Sequence, residues 1–145
     1  MADQPPQEDQ ATRNLRVIEE FRATGGHPAG RFEGAPIVLM HTIGAKSGKE
    51  HLTPVMYLPD NGRIVVFASK GGHPSDPDWY RNIKANPRFK VEVGSETFEV
   101  QASEVTGKER DELYAKQAAA YGMFADYEAK TKGVRTIPVV ALSRV

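Results

Sequence analysis

Apolar positions recur along the chain with two different periods, and the switches between them predict the elements. Over residues 11–23, Leu15, Ile18 and Phe21 return every third position, which is the stripe of a short amphipathic helix that Thr24-Gly25-Gly26 stops. That helix is expected to pack across a sheet. Residues 36–43, 51–58 and 63–69 are rich in Val, Ile and Phe and read as strands. They are separated by the turns Gly44-Ala45-Lys46-Ser47-Gly48 and Asp60-Asn61-Gly62, and the Asn-Gly pair predicts an antiparallel hairpin. The loop Gly71-Gly72-His73-Pro74-Ser75-Asp76-Pro77 leads into a short helix. Asp76 is expected at its N-cap and Pro77 at its first helical position, with Trp79, Tyr80 and Ile83 along it and an end before Asn86-Pro87. Clean alternation over residues 88–93 (Phe89, Val91, Val93) and 96–105 (Phe98, Val100, Ala102), around Gly94-Ser95, predicts a second hairpin.

Thr106-Gly107-Lys108-Glu109 reads as a capping box opening a helix to about Tyr121. Residues 122–133 are expected to be irregular or partly helical, and residues 136–142 form a last strand. Six strands, short hairpin connections and no strand–helix–strand spacing of the parallel type favour an α+β fold, a small antiparallel barrel with helices outside. Residues 11–145 form the single expected domain. Residues 1–10, polar and proline-bearing, read as a disordered tail.

Composition narrows the chemistry. The 145 residues include no cysteine, which removes disulfides, thiolate nucleophiles, iron–sulfur clusters and cysteine-ligated zinc, so redox chemistry requires an organic cofactor. The four histidines lack metal-ligand spacing, and there is no Gly-x-Ser-x-Gly elbow. No metal site is expected. The first ten residues have neither a basic region nor an apolar stretch, unlike a signal peptide, and no apolar run approaches the length of a membrane helix. A soluble, cytoplasmic protein is expected, with a peripheral position at the membrane left open. Nineteen basic residues balance nineteen acidic ones, which argues against nucleic acid as a partner. The balance is uneven in position: residues 41–90 carry eight basic and four acidic groups, residues 91–129 three and nine, and residues 130–145 four and none.

Four clusters carry candidate chemistry. In His41-Thr42-Ile43-Gly44-Ala45-Lys46-Ser47-Gly48-Lys49, two glycines let backbone N–H groups converge while lysines and a hydroxyl add charge and donors, as a phosphate or carboxylate needs. An ordinary hairpin turn is the competing reading. Ala68-Ser69-Lys70-Gly71-Gly72 ends a strand with a hydroxyl, an ammonium and permissive backbone, or is a loop with a solvated lysine. Trp79-Tyr80-Arg81-Asn82 begins a helix whose N-terminus favours anions, yet Trp79 suits core packing equally and Arg81 a solvated face. Tyr121, Phe124 and Tyr127, three apart, fit either a lid over a planar ligand or a helix end covering the sheet.

Taken in order, Thr42-Ile43-Gly44-Ala45-Lys46-Ser47-Gly48, Thr53-Pro54, Ala68-Ser69-Lys70-Gly71-Gly72, Trp79-Tyr80-Arg81-Asn82-Ile83-Lys84-Ala85-Asn86-Pro87 and Thr136-Ile137-Pro138-Val139-Val140 resemble the deazaflavin-dependent nitroreductase family. The resemblance spans residues 36–140. It implies a six-stranded antiparallel split β-barrel of the type that also binds flavin mononucleotide, here using coenzyme F420, with a small electron acceptor as substrate. Carried over from the family, Lys46, Ser47, His51, Thr53 and Pro54 hold the anionic tail and phosphate, and Val55 and Met56 lie beside the ring. Ala68, Ser69 and Lys70, and then Trp79, Tyr80, Arg81 and Asn82, complete the cofactor contacts. Tyr121, Phe124 and Tyr127 form the aromatic lid. This chain departs from the pattern at Ala45 and His51, where close relatives of the nitroreductase carry arginine, and at Met56, where they carry tyrosine.

The implied reaction moves a hydride from F420H2 to a quinone, an activated enone or lactone, or a nitroaromatic. Ser69 is expected to hydrogen-bond the acceptor or the ring. Tyr121 or Tyr127 is expected to give the proton, although an unperturbed tyrosine, with a pKa of about 10, is a poor acid at neutral pH and solvent competes. Two other readings keep the barrel: an oxidoreductase dependent on flavin mononucleotide, and a non-catalytic deazaflavin-binding protein.

Overall fold

A computed structural model describes residues 10–27 and 35–145. The expected tail lies outside them except for Gln10, which starts the first helix. The elements are helix α1 (Gln10–Ala23), strands β1 (Ile37–Ile43), β2 (Glu50–Asp60) and β3 (Arg63–Phe67), a 3-10 turn at Lys70–Gly72, helix α2 (Asp78–Ala85), strands β4 (Arg88–Val93) and β5 (Glu96–Val105), helices α3 (Gly107–Ala120) and α4 (Met123–Thr131), and strand β6 (Val139–Arg144).

The strands close into an antiparallel barrel in the order β1-β2-β3-β6-β5-β4. Tight turns set much of the register. Asp60 pairs with Arg63 across the two-residue loop Asn61-Gly62, and both loop residues have positive φ, +48° and +84°, the conformation that matches the twist of a two-residue hairpin. Closure depends on pairings remote in sequence: Leu39 with Glu92 between β1 and β4, and Ile64 with Leu142 between β3 and β6.

Alternate positions of the strands fill the interior. Val38, Met40, Val66, Val91, Val100 and Val140 are buried there, and Trp79, Tyr80 and Ile83 of α2 pack into the same cluster. The barrel interior is therefore a packed apolar core. The other face of the strands is covered by helices. Leu113 and Tyr114 of α3 and Phe124 of α4 lie on Val65, Phe67, Val139 and Ala141, while Ile18 and Phe21 of α1 lie on Ile37 and Leu39. Leu15, expected in the buried stripe of α1, is 60% exposed, because the helix touches the barrel only through its C-terminal half.

Local cap assignments are corrected. Pro77, not Asp76, is the N-cap of α2, with no side-chain capping bond, because Asp76 Oδ1 accepts a hydrogen bond from Arg135 instead. Thr106 is the N-cap of α3, but no capping box closes; Glu109 lies 3.5 Å from Arg63 of β3. Residues 123–131, left irregular or partly helical, form α4, and β6 begins at Val139 rather than residue 136.

Candidate cofactor and acceptor face

The 44–48 turn joins β1 to β2 and folds tightly on itself. Gly44 N–H donates to Lys49 O at 2.8 Å, Gly48 N–H to Gly44 O at 3.0 Å and Lys49 N–H to Ser47 Oγ at 3.2 Å. A Cβ on buried Gly44 would collide with Ser47 Oγ and lie 3.1 Å from His51 Nε2. The missing side chain thus lets Ser47 and His51 close over the turn. Lys46 and Lys49 stand exposed beside them. The turn is anchored from α2, where Asn82 Oδ1 accepts the Ala45 N–H at 3.0 Å, and Asn86 Nδ2 donates to Ile43 O at 3.3 Å. Asn82, predicted to touch cofactor, here holds the backbone of the turn.

Along β2 the predicted residues divide by strand alternation. Val55 packs into the barrel interior and Thr53 shares that parity. Pro54 and Met56 lie on the outer face, where Met56 touches both the cluster under α1 and the cluster under α3 and α4. Val55 and Met56 therefore do not present their side chains on the same face.

The second turn follows β3. Ala68 is fully buried and Ser69 nearly so, while Lys70 is exposed. The Ser69 hydroxyl makes no capping bond to the turn. A Cβ on Gly72 would lie 3.2 Å from Tyr127 Cα and 2.9 Å from Lys130 Cδ, so the turn presses directly on α4. Tyr121 and Tyr127 are half-buried at the edge of the outer cluster. The outer face of β2 at Met56, the 69–72 turn and the two tyrosines are thus brought together on the outside of the barrel.

Three predicted aromatic side chains are committed elsewhere. Trp79 and Tyr80, 8% and 6% exposed, belong to the barrel core. Tyr80 also donates a short hydrogen bond to Glu104, and burial, reinforced by that carboxylate, raises its pKa well above the ordinary tyrosine value. Phe124 is buried, edge-on to Phe67, Tyr114 and Tyr127 with centroids 5.8, 6.3 and 5.4 Å away. Its ring packs against that of Tyr127. Tyr114 donates to Phe124 O at 2.6 Å, and burial pushes its pKa up to about 12. Arg81 is exposed and pairs with Asp78, besides donating to Asp76 O at 3.3 Å.

Arg135, which no motif pointed to, is the most heavily bonded side chain near these turns. It donates to the carbonyls of Ala68, Ser69 and His73 and to the Asp76 carboxylate. A trace of it existed in the charge count, since residues 130–145 hold four basic groups and no acid. A cavity of about 580 Å³ lies behind it, between α3, α4 and residues 132–137, away from the tyrosines.

Charge and shape here suit a flat ring with an anionic tail. Lys46, Lys49 and Lys70 make no ion pair among the described residues, as holds for the other described lysines except Lys108. The amides of Lys70 and Gly71 donate to no backbone acceptor among those residues. Met56, Tyr121 and Tyr127, each partly exposed, add apolar area at the edge of the outer cluster. No group of His and carboxylate residues able to hold a metal ion occurs among the described residues.

The closed six-stranded antiparallel barrel is of the split-barrel class. Within that class the chain belongs to the F420H(2)-dependent quinone reductase family, whose model matches residues 14–144. It is similar to an F420H(2)-dependent quinone reductase of Mycobacterium tuberculosis, 37% identical over 128 residues that cover 86% of this chain and 85% of the relative. Among solved structures it is similar to an F420-H2 dependent reductase (42% identity, TM-score 0.67, covering 74% of this chain and 94% of that one). A second solved chain, described as a domain-swapped dimer, is 38% identical with TM-score 0.69 over 92% of this chain and 96% of its own. Family membership makes the protein an oxidoreductase with reduced coenzyme F420 as hydride donor. No helix among the described residues is long and apolar enough to cross a membrane.

Proposed function

We propose that the protein reduces a quinone-type acceptor with F420H2 on the outer face of β2, between the two turns and the tyrosines Tyr121, at the end of α3, and Tyr127 of α4. The observation that carries this reading is the contact of the 69–72 turn with α4 at Tyr127, in a turn whose Lys70 and Gly71 amides have no backbone acceptor among the described residues. F420H2, when bound, supplies the hydride. The protein's part is to bind, orient and shield. Lys46, Ser47 and His51 face the anionic tail, and Lys70 adds charge at the second turn. Met56 provides the apolar bed, with buried Pro54 behind it in β2. Ser69, whose hydroxyl is not used in the turn, is the hydrogen-bond donor toward ring or acceptor.

A quinone that accepts a hydride becomes a hydroquinone monoanion and needs one proton to become neutral. Tyr121 or Tyr127 stands where it can donate that proton and be reprotonated by solvent. Activated enones, lactones and nitroaromatics have the same demand for a hydride and a proton, and the same face serves them.

The test is F420H2 oxidation with menadione, combined with titration of oxidised F420 and of a tail-less deazaflavin. Lys46→Ala and Lys70→Ala should each weaken F420 binding about tenfold, a loss of about 1.4 kcal/mol of the kind one charge-assisted contact supplies, and leave the tail-less ligand nearly unaffected. Equal losses for both ligands refute the placement of the tail. Failure of the wild-type protein to bind F420 refutes the reading as a whole.

A further inference from the structure

The 69–72 turn follows an uncommon backbone path. Ser69 is in the right-handed helical region (φ −75°, ψ −35°), whereas Lys70, Gly71 and Gly72 have φ of +46°, +62° and +81°. A right-handed residue followed by a left-handed one aims successive N–H groups into one concavity, which suits an oxygen carrying negative charge. Gly72 N–H and His73 N–H close back on Ser69 O and Lys70 O, at 2.9 and 3.1 Å. The two amides between, Lys70 and Gly71, are the ones left without a backbone acceptor among the described residues.

Such an arrangement is vulnerable to its own neighbours. A peptide flip that swings a loop carbonyl inward would satisfy these amides and erase the concavity. The carbonyls best placed by sequence to do so are those of Ala68, Ser69 and His73, and one guanidinium occupies all three. Arg135 Nη1 donates to Ala68 O at 3.1 Å and to Asp76 Oδ1 at 3.0 Å. Its Nη2 donates to Ser69 O and His73 O, both at 2.9 Å, and its Nε to His73 O at 3.0 Å. These contacts use every donor that the rigid guanidinium fork offers. With 12% of its side chain exposed and Asp76 balancing its charge, Arg135 has no donor left for a ligand.

We infer that Arg135 is a positioning residue for F420H2: by tying back the carbonyls of Ala68, Ser69 and His73, it keeps the Lys70 and Gly71 amides free for the cofactor. This rests on the assignment of the turn to the cofactor face. Lysine is no substitute, because a point charge with three mobile donors cannot span three carbonyls set in different directions.

Arg135→Lys and Arg135→Ala in the full chain test this with two separate readouts. The first is amide hydrogen exchange of the ligand-free proteins: protection of Gly72 and His73 should fall in both variants, while protection in β1, β4 and β5 is retained. The second is kinetic and equilibrium binding: F420 affinity of the folded fraction should fall about tenfold or more, and KM for F420H2 should rise while kcat stays within about threefold. A stabilising residue with no role at the turn would lower Tm and leave KM unchanged, and that result overturns the inference. Wild-type affinity in Arg135→Lys also overturns it. Should Arg135→Ala fail to fold, Arg135→Lys and Asp76→Asn carry the experiment, the latter removing the contact that sets the fork's orientation. If the wild-type protein does not bind F420, the assigned function falls, and exchange protection at Gly72 and His73 still decides whether Arg135 clamps the turn.

Discussion

Alanine at Gly72 should damage both stability and catalysis, and alanine at the adjacent Gly71 supplies the control. Both glycines have left-handed backbone, φ +81° and +62°, where an added Cβ costs about 1–2 kcal/mol, partly offset by about 0.4–1 kcal/mol from a stiffer unfolded chain. That leaves about 1 kcal/mol for each. At Gly71 nothing lies within 4 Å of the new Cβ, so the cost ends there. At Gly72 the Cβ would sit 3.2 Å from Tyr127 Cα, and a backbone atom inside a helix cannot swing aside. The turn must lift from α4, an overpacking strain of about 1–3 kcal/mol. The expected totals are about 1 kcal/mol for Gly71→Ala and about 2–4 kcal/mol for Gly72→Ala. At about 3–4 °C per kcal/mol for a chain of this size, these correspond to Tm losses of about 3–4 °C and about 6–16 °C. Displacing the turn also separates Ser69 from Tyr127, so kcat/KM for F420H2 should fall several-fold in Gly72→Ala alone. Thermal melts and menadione-linked F420H2 oxidation measure both effects. Equal Tm losses with equal kcat/KM would refute the claim that contact with α4 sets the position of the turn.

Two further outcomes concern the scaffold. The Arg22 guanidinium, 2.7 Å from Glu92 Oε2, together with His41 Nε2 on the same oxygen, holds the Glu92 carboxyl below its usual value of 4.5. A lowered folded-state pKa means stabilisation that is present at neutral pH and lost as pH falls through and below the ordinary carboxylate range. Glu92→Gln should therefore be less stable than wild type at pH 7, with a difference that shrinks in acid; a difference independent of pH contradicts this. Gln117 is fully buried, and neither its side-chain nitrogen nor its oxygen finds a hydrogen-bond partner among the described residues. Gln117→Met should raise stability by about 1–3 kcal/mol, the cost of an unmet buried polar group, and a lower Tm in urea-free melts would refute it.

The parts of this molecule that sequence made legible are those whose causes are local. Alternation of Phe89, Val91 and Val93, and of Phe98 and Val100, marked β4 and β5 with the bounds they have, because one face of each strand packs into the barrel. Asn61-Gly62 marked its hairpin because few residues other than glycine and asparagine adopt positive φ readily. Misreadings arose where a distant partner outbid a local one. Asp76 had the chemistry of an N-cap, but Arg135 lies 59 residues away in sequence and 3.0 Å away in space. Residues 136–138 looked like strand because Ile137 is apolar and buried, yet its carbonyl accepts from Arg110 instead of a neighbouring strand. The same limit applies to the site. The turns could be found from their glycines and lysines, whereas the inward commitment of Trp79, Tyr80 and Val55 depends on which face of the barrel each occupies.

Closure of the barrel also sets a timetable. β6 follows every other strand in the chain, yet it stands between β3 and β5, and Arg135, which braces the Ser69 turn, comes just before it. A growing polypeptide therefore carries both basic turns and most of the core well before either turn can be braced or the sheet sealed. Until β6 is made, β3 and β5 keep unpaired edges, which makes this the stage most exposed to aggregation. The bracing of the turn and the end of that exposure arrive together, so a ribosome-bound chain halted before β6 would be adhesive, however complete its basic turns.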